Sequence, residues 1–424
     1  MKFKPSLHKL PNGLPVILDP MDMETATMSV VFKTGGRDES KGDLGITHFL
    51  EHMIMSGTPT RPSPKSIRDF MENHGGTINA GTSNASFRLS ARIIAENLFV
   101  LAEVLADNIK NPLFDPAALE NEKTVILDEY MRSQDDPDRR FFYFSVKNLF
   151  AGSGYANETL GSVDTIKSFT RERLLNWKSA RFSALNSVIA ISGKITDKAG
   201  LLSKLEELFG WLPALDVPSN SAAEFKECAA HNPRPDKNVK ISIAIEDLVP
   251  FGLEYRFKNM CLGRFGSALQ KRLFEIIRNK NGLVYGIYGD SLGNESAGAD
   301  TITTSASPEN AAKVVALAAQ VSADMMFRNP YSAAELEQRN QRAKLGDADF
   351  LESAGERKNK LIDFYLDYGQ LFDYYESLEL SDKITVAAVI ENARDMFNAR
   401  VSVITQGADV DAEALRRTWL ENFK

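Results

Sequence analysis

The chain is poor in cysteine, with only Cys228 and Cys261 among 424 residues. Two such thiols build no disulfide framework and read as reduced, mostly buried core residues. No apolar run reaches the roughly 18 residues of a membrane-crossing helix, so no transmembrane span is expected. Basic residues do not prevail: 50 Lys and Arg stand against 57 Asp and Glu, a formal net charge of -7. That balance argues against nucleic acid as the main partner, which would need clustered Lys and Arg to meet phosphates. Mild acidity is compatible with basic peptides but decides little. The opening MKFKPSLHKLPNG has no apolar h-region, so the chain as numbered is expected in the cytoplasm. The periplasm is the alternative if a signal was removed before residue 1. Histidine is scarce too, at five residues, which makes any clustering of it informative.

What is present is ordinary globular material, 43% hydrophobic and 25% charged, long enough for two or more domains of about 100–200 residues each. Strand-like and helix-like segments alternate. Residues 14–20 and 27–34 read as strands and 43–57 as a mostly apolar helix. Ser63-Pro64 supplies an N-cap and a Pro at N1 for a helix that stops at Gly75-Gly76. In 86–93, Phe87, Leu89, Ala91 and Ile93 alternate with polar residues, as a half-buried strand requires. Helices follow over about 94–110 and from about 116. The Pro- and Ser-containing stretch 212–222 marks a boundary, dividing the chain into 1–216 and 217–424. Beyond it the pattern restarts, with a strand at 240–246, a helix at about 259–280, strand-like residues around Tyr285 and at 300–305, and a helix at about 309–327. Asn111-Pro112 and Asn329-Pro330 both sit between helices, each followed by a Leu-Glu pair, a short internal echo. The expectation is an α+β fold of two similar domains, each stacking helices on one sheet.

The sharpest pattern is His48-Phe49-Leu50-Glu51-His52. Composition alone gives about 0.004 such matches in a chain of this size, so chance spacing is a poor explanation. On a helix, His48 and His52 lie one turn apart on one face, close enough for two imidazoles to hold one Zn²⁺ at about 2.0–2.1 Å. Glu51 falls near the same face, within reach of a metal-held water without being a ligand. Ile46, Phe49, Leu50, Met53 and Ile54 fill the far arc, so the helix is buried on that side. Charged or imidazole groups there need partners, and a metal is the simplest one.

A catalytic zinc takes three protein ligands and keeps one position open. The helix opened by Asp115-Pro116 offers candidates for the third. On its wheel Ala118, Glu122, Val125 and Glu129 share one arc, extended by Leu119, Ile126 and Tyr130, while Asp128 points elsewhere. Inward carboxylates suit metal ligation or the orientation of a ligand; the wheel does not choose between them for Glu122 and Glu129.

At these residues the chain resembles the pitrilysin (insulinase) family of inverted H-x-x-E-H zinc peptidases, in length its short, processing-peptidase-like branch. The likeness is carried by Gly35-Gly36-Arg37-Asp38-Glu39, the segment Gly45 to Met53, Ser56-Gly57-Thr58, the segment Gly75 to Ser83, and the segment Glu122 to Glu129. It implies a duplicated fold with mainly antiparallel sheets, and one Zn²⁺ per chain held by His48, His52 and Glu129. It implies Glu51 as general base on the zinc-bound water and Glu122 as a supporting carboxylate. Substrate would add as a strand near Asn79 and Ala80. Arg278-Asn-Lys-Asn-Gly282-Leu-Val-Tyr285 is similar to the family's element whose Arg and Tyr meet substrate from a second wall. The implied function is a zinc metalloendopeptidase acting on peptides or unfolded segments. Since long members hold two such halves, it also implies a homodimer, or a heterodimer with a related chain, with Arg278 and Tyr285 acting in cis or in trans. The alternatives are a non-catalytic scaffold or partner subunit, and a zinc hydrolase of non-peptide amides or esters.

Overall fold

The computed structural model describes residues 3–220, 222–248, 251–293, 295–396 and 399–423. Its contacts divide the chain into two compact units. The first comprises 1–135, 157–220 and 347–373; the second comprises 136–156, 221–346 and 374–424. Each unit therefore includes a segment from the other half of the chain.

The first unit is built on a six-stranded sheet, ordered β1-β2-β6-β3-β5-β4. Its strands are β1 (Ser6–Lys9), β2 (Pro15–Pro20), β3 (Thr25–Phe32), β4 (Gly76–Thr82), β5 (Phe87–Ile94) and β6 (Ser187–Gly193). Pairing is antiparallel except between β2 and β6. The inner strand β6 is buried along its whole length and is accordingly a continuous run of apolar and small residues, Ser-Val-Ile-Ala-Ile-Ser-Gly. In β5, Phe87, Leu89, Ala91 and Ile93 face the core as the alternation predicts. The two edge strands are β1 and β4.

Four helices follow that pattern: α1 (Ile46–Met55), α2 (Pro64–Asn73), α3 (Leu98–Lys110) and α4 (Pro116–Asp135). The Ser63 hydroxyl accepts from the Ser66 N–H with Pro64 in the first turn, the cap expected at that point. Next in the chain, α5 (Pro137–Leu149) belongs to the second unit, and α6 (Val163–Ser168), α7 (Arg171–Arg181) and α8 (Lys198–Phe209) return to the first.

The second unit holds a five-stranded sheet ordered β7-β11-β8-β10-β9. It comprises β7 (Ala229–Pro233), β8 (Val239–Asp247), β9 (Ile287–Gly293), β10 (Gly298–Ala306) and β11 (Val401–Gly407), with α9 (Arg256–Leu273) and α10 (Pro308–Phe327) packed on its core face. Further along, α11 (Ala333–Glu352) leads into α12 (Ala354–Tyr368). Two helix-on-sheet units of this kind are the duplicated α+β architecture expected.

The two exchanged helices explain how the back of each sheet is covered. In the second unit Phe141, Val146 and Leu149 of α5 join Ala244, Ala299 and Ile404 in an apolar cluster. In the first, α12 lies on β2, β3 and β6, and beside its buried Leu361 and Ile362 it brings a buried ion pair. Arg357 Nε donates to Asp19 Oδ2 at 2.7 Å with both side chains fully buried, and Lys358 Nζ donates to Thr27 Oγ1 at 3.3 Å. Such a pair persists only with close geometry, because each ion has left water.

The helix α1 begins in an unusual way. Gly45 precedes it with a left-handed backbone (φ 86°) and offers no side-chain cap. A Cβ at that position would lie 2.6 Å from the Leu160 carbonyl oxygen, so Ser, Thr, Asn or Asp cannot serve there. Instead Glu39 Oε2 accepts from the Gly45 N–H at 2.7 Å and Oε1 from the Thr47 N–H at 2.9 Å. Burial pushes the Glu39 carboxyl up to about 8 against the pull of those two amides. With a native pKa above the unfolded one, the folded chain binds the extra proton between about 4.5 and about 8. Stability from this group is then full below that window and is lost as pH rises through it. Glu39→Gln removes the titration: the melting-temperature advantage of wild type over the variant should shrink between pH 5 and pH 9. A constant gap would show that Glu39 does not titrate in that window.

Candidate metal centre

Packing of α1 fixes which side chains it offers. Ile46, Phe49, Leu50, Met53 and Ile54 are buried in the core of the first unit, so His48, Glu51 and His52 face the remaining side. The His48 and His52 rings stand edge to face with centroids 4.8 Å apart. Across from them, α4 packs against α1 with Leu119 and Ile126 in the core. Val125, expected in the inward arc, is 43% exposed, because that arc runs along the rim of the site.

This places both inward carboxylates, in different roles. Glu129 Oε2 lies 3.7 Å from His48 Nε2 and 3.7 Å from His52 Nε2. Glu122 Oε2 lies 2.7 Å from His52 Nδ1, on the far side of that ring. Glu122 is the more enclosed of the two, at 15% side-chain exposure against 41%. Distance separates the two carboxylates that the wheel leaves together: Glu129 converges with both imidazoles, and Glu122 meets the other nitrogen of His52. Burial lowers the affinity of His52 for a proton, but the hydrogen bonds and charges of Glu122, Glu129 and Glu51 outweigh it and push its pKa up to about 9.

The donors suit zinc. Among the described residues, one atom each from His48, His52 and Glu129 lie within 4.8 Å of one another. Ligands about 2.0–2.2 Å from a shared ion at tetrahedral angles stand roughly 3.3–3.6 Å apart, close to the separations here, and His₂Glu is a known catalytic zinc set. Glu122 behind His52 has the placement of a carboxylate that would hold a metal-ligating imidazole in one tautomer and orientation.

Glu51 lies beside this set, and its carboxylate Oε2 accepts the Thr82 hydroxyl at 2.6 Å. Burial raises its pKa, Thr82 and His52 lower it, Glu129 raises it, and the net direction is up. Thr82 and Glu39 went unremarked as site residues in the sequence. Strand periodicity from Ala80 would have put Thr82 on the face turned to α1. Asn79 is on β4 with its side chain exposed, and Ala80 packs against the core. Arg278 and Tyr285 belong to the second unit. There α9 continues as a π-helical stretch, Phe274–Lys280. Arg278 Nε donates to the Tyr285 carbonyl at 3.0 Å, and its guanidinium lies over the Phe274 ring at 5.0 Å. Tyr285, expected in a strand, occupies a bend before β9 and is 87% exposed; its carbonyl is occupied by Arg278. Among the described residues no helix is long and apolar enough to cross a membrane.

Comparison with known proteins gives these residues a context. Residues 16–163 match the family model described as insulinase (peptidase family M16), and 168–341 match that described as peptidase M16 inactive domain. A protein of Rickettsia bellii named as a zinc protease is 25% identical over 402 residues, 94% of this chain and 96% of that one. The beta subunit of the mitochondrial-processing peptidase of Dictyostelium discoideum is 32% identical over 200 residues, 47% of this chain and 42% of that one. The solved periplasmic protease PqqL of Escherichia coli superposes with a TM-score of 0.80 at 19% identity, covering 100% of this chain and 51% of that one. That last likeness shows the fold.

If Glu122 orients His52, Glu122→Ala should weaken zinc binding about 10–100-fold, as loss of such partners does elsewhere, in competition with a chromogenic chelator. An unchanged affinity in a folded variant would remove Glu122 from the centre.

Proposed function

The chain belongs to peptidase family M16, the insulinase family, and from that premise we propose that it is a zinc metalloendopeptidase cleaving peptides or unfolded segments. The observation that carries this reading is the convergence of His48, His52 and Glu129, with Glu122 behind one imidazole and the Glu51 carboxylate alongside. Each has a role in hydrolysis. His48, His52 and Glu129 would hold one zinc ion per chain. When bound, zinc polarises the scissile carbonyl and acidifies water at the open position. Glu51 takes the proton of the attacking water and passes it to the leaving amine, a transfer favoured when the base has a pKa near the working pH; burial moves Glu51 in that direction.

Substrate adds to β4, an edge strand of the first sheet, near Asn79 and Ala80. Main-chain hydrogen bonds to an edge strand give affinity with little sequence selectivity. Arg278 and Tyr285 donate to the substrate carbonyl or the developing oxyanion. The match to half of a longer protease supports a dimer in which these two residues of one chain serve the metal site of another. The match of 168–341 to the peptidase M16 inactive domain agrees with a ligand set that, among the described residues, lies in the first half.

The chemistry is tested with Glu51→Gln. It should retain zinc and lose essentially all cleavage of a mixed peptide library that wild type digests. Zinc binding without cleavage by wild type would instead favour a non-catalytic scaffold or partner subunit, and cleavage of small amides alone a non-peptide hydrolase. Sharing in trans is tested by mixing Glu51→Gln with Tyr285→Phe chains. Restored cleavage is expected; its absence, with mixed dimers shown to form, rules out sharing.

A further inference from the structure

We propose that Thr82 is a positioning residue that aims the Glu51 carboxylate, an inference resting on the hydrolytic reading above. The geometry is a 2.6 Å hydrogen bond from Thr82 Oγ1 to Glu51 Oε2. Which partner controls the other follows from how each is held. Glu51 hangs from α1 on a long side chain with several rotatable bonds, and fixing it in one orientation opposes rotamer entropy. Thr82 has a short β-branched side chain with few rotamers on a backbone that is fastened from three directions.

The first fastening is the strand itself. Thr82 is the last residue of β4 and pairs with Phe87 of β5, which is fully buried. The second is the hairpin turn beyond it. The Ser83 N–H donates to the Ser86 carbonyl at 2.8 Å, and the Ser86 N–H to the Ser83 hydroxyl at 2.9 Å. The third comes from outside the hairpin. The Gly36 N–H donates to the Ser83 carbonyl at 3.2 Å and the Arg37 N–H to the Asn84 carbonyl at 2.9 Å. The approach is so close that a Cβ on Gly35 would lie 2.4 Å from the Ser83 oxygen.

Alternation along β4 turns the hydroxyl the right way. Ile78 and Ala80 pack toward the core, and Thr77, Asn79 and Gly81 are exposed; Thr82 shares the parity of Ile78 and Ala80 and so faces α1. The donor is rigid and the acceptor is flexible, so Thr82 sets the orientation of Glu51. With one carboxylate oxygen engaged by the hydroxyl, the other is left for the proton of the attacking water. The strand that carries Thr82 is also the strand to which substrate is proposed to add.

The test uses the zinc-loaded full chain and a fluorogenic peptide that wild type cleaves. Thr82→Val keeps the shape and strand preference but removes the donor. Its kcat should fall about 10–100-fold, the scale on which a misplaced catalytic group reduces rate, with KM within about twofold and zinc content unchanged. Thr82→Ser restores the donor and should recover most of the rate. Combining Thr82→Val with Glu51→Gln should add no further loss. A readout independent of activity is the melting temperature of the zinc-free proteins, where the two substitutions should give less than the sum of their separate shifts. Wild-type kcat in Thr82→Val, a loss confined to KM, no recovery in Thr82→Ser, or additive melting shifts would each overturn the inference. If wild type cleaves and Glu51→Gln does not, such a result sinks the role of Thr82 alone; if wild type cleaves nothing, the hydrolytic reading and this inference fall together.

Discussion

The candidate metal centre depends on a buried carboxylate that starts a helix from outside it. Because Gly45 has no room for a side chain and a backbone that favours glycine, α1 cannot be capped by its own preceding residue. Leaving the Gly45 and Thr47 amides unsatisfied in an apolar interior would cost about 1–3 kcal/mol each. Glu39 answers both at once. Its negative form also suits the positive end of the helix, yet its burial favours the proton. Two opposed tendencies therefore meet at the residue that determines where His48, Glu51 and His52 begin their turn.

The same short stretch reaches the other side of the site. Gly36 and Arg37 hold the tip of the β4–β5 hairpin through the carbonyls of Ser83 and Asn84. Asp38 folds back to accept the Gly35 N–H at 3.0 Å and takes the Asn220 N–H at 2.9 Å. Residues 35–39 thus locate both the helix that carries Glu51 and the hairpin that carries Thr82. A link of five residues between Glu51 and Thr82 is the support that the proposed base would need, since placement within a fraction of an ångström governs the use of a catalytic group.

How far this was legible in the sequence depends on the range of the interactions. The buried arc of α1 could be read from residue spacing, because core packing obeys helical periodicity. So could the Ser63-Pro64 start and the alternation of β5, which are local. Glu122 and Glu129 could be recognised as inward carboxylates but not told apart, because the choice lies in which atom of His52 each meets. The covering of one sheet by α12 and of the other by α5 had no local signal. Asp19 and Arg357 are 338 residues apart, and neither looks unusual in its own neighbourhood. The segment around Tyr285 reads as strand-like, but Tyr285 itself lies in a bend with its carbonyl taken by Arg278 Nε.

The charges that the chain itself brings to the site explain why these residues should converge on a cation. Three carboxylates, Glu51, Glu122 and Glu129, face two imidazoles. The carboxylates pull the His52 pKa up to about 9, and the nearby Glu129 charge helps to raise that of Glu51. Protons are one way to relieve such an excess, but a protonated imidazole cannot ligate and a protonated Glu51 cannot act as a base. A divalent cation held by His48, His52 and Glu129 would relieve it differently, since it takes neutral imidazoles and an ionised carboxylate as ligands. It would also leave Glu51 ionised beside it. Charges that oppose one another as buried side chains would fit together as the proposed metal-assisted base, with Thr82 against Glu51 and Glu122 against His52.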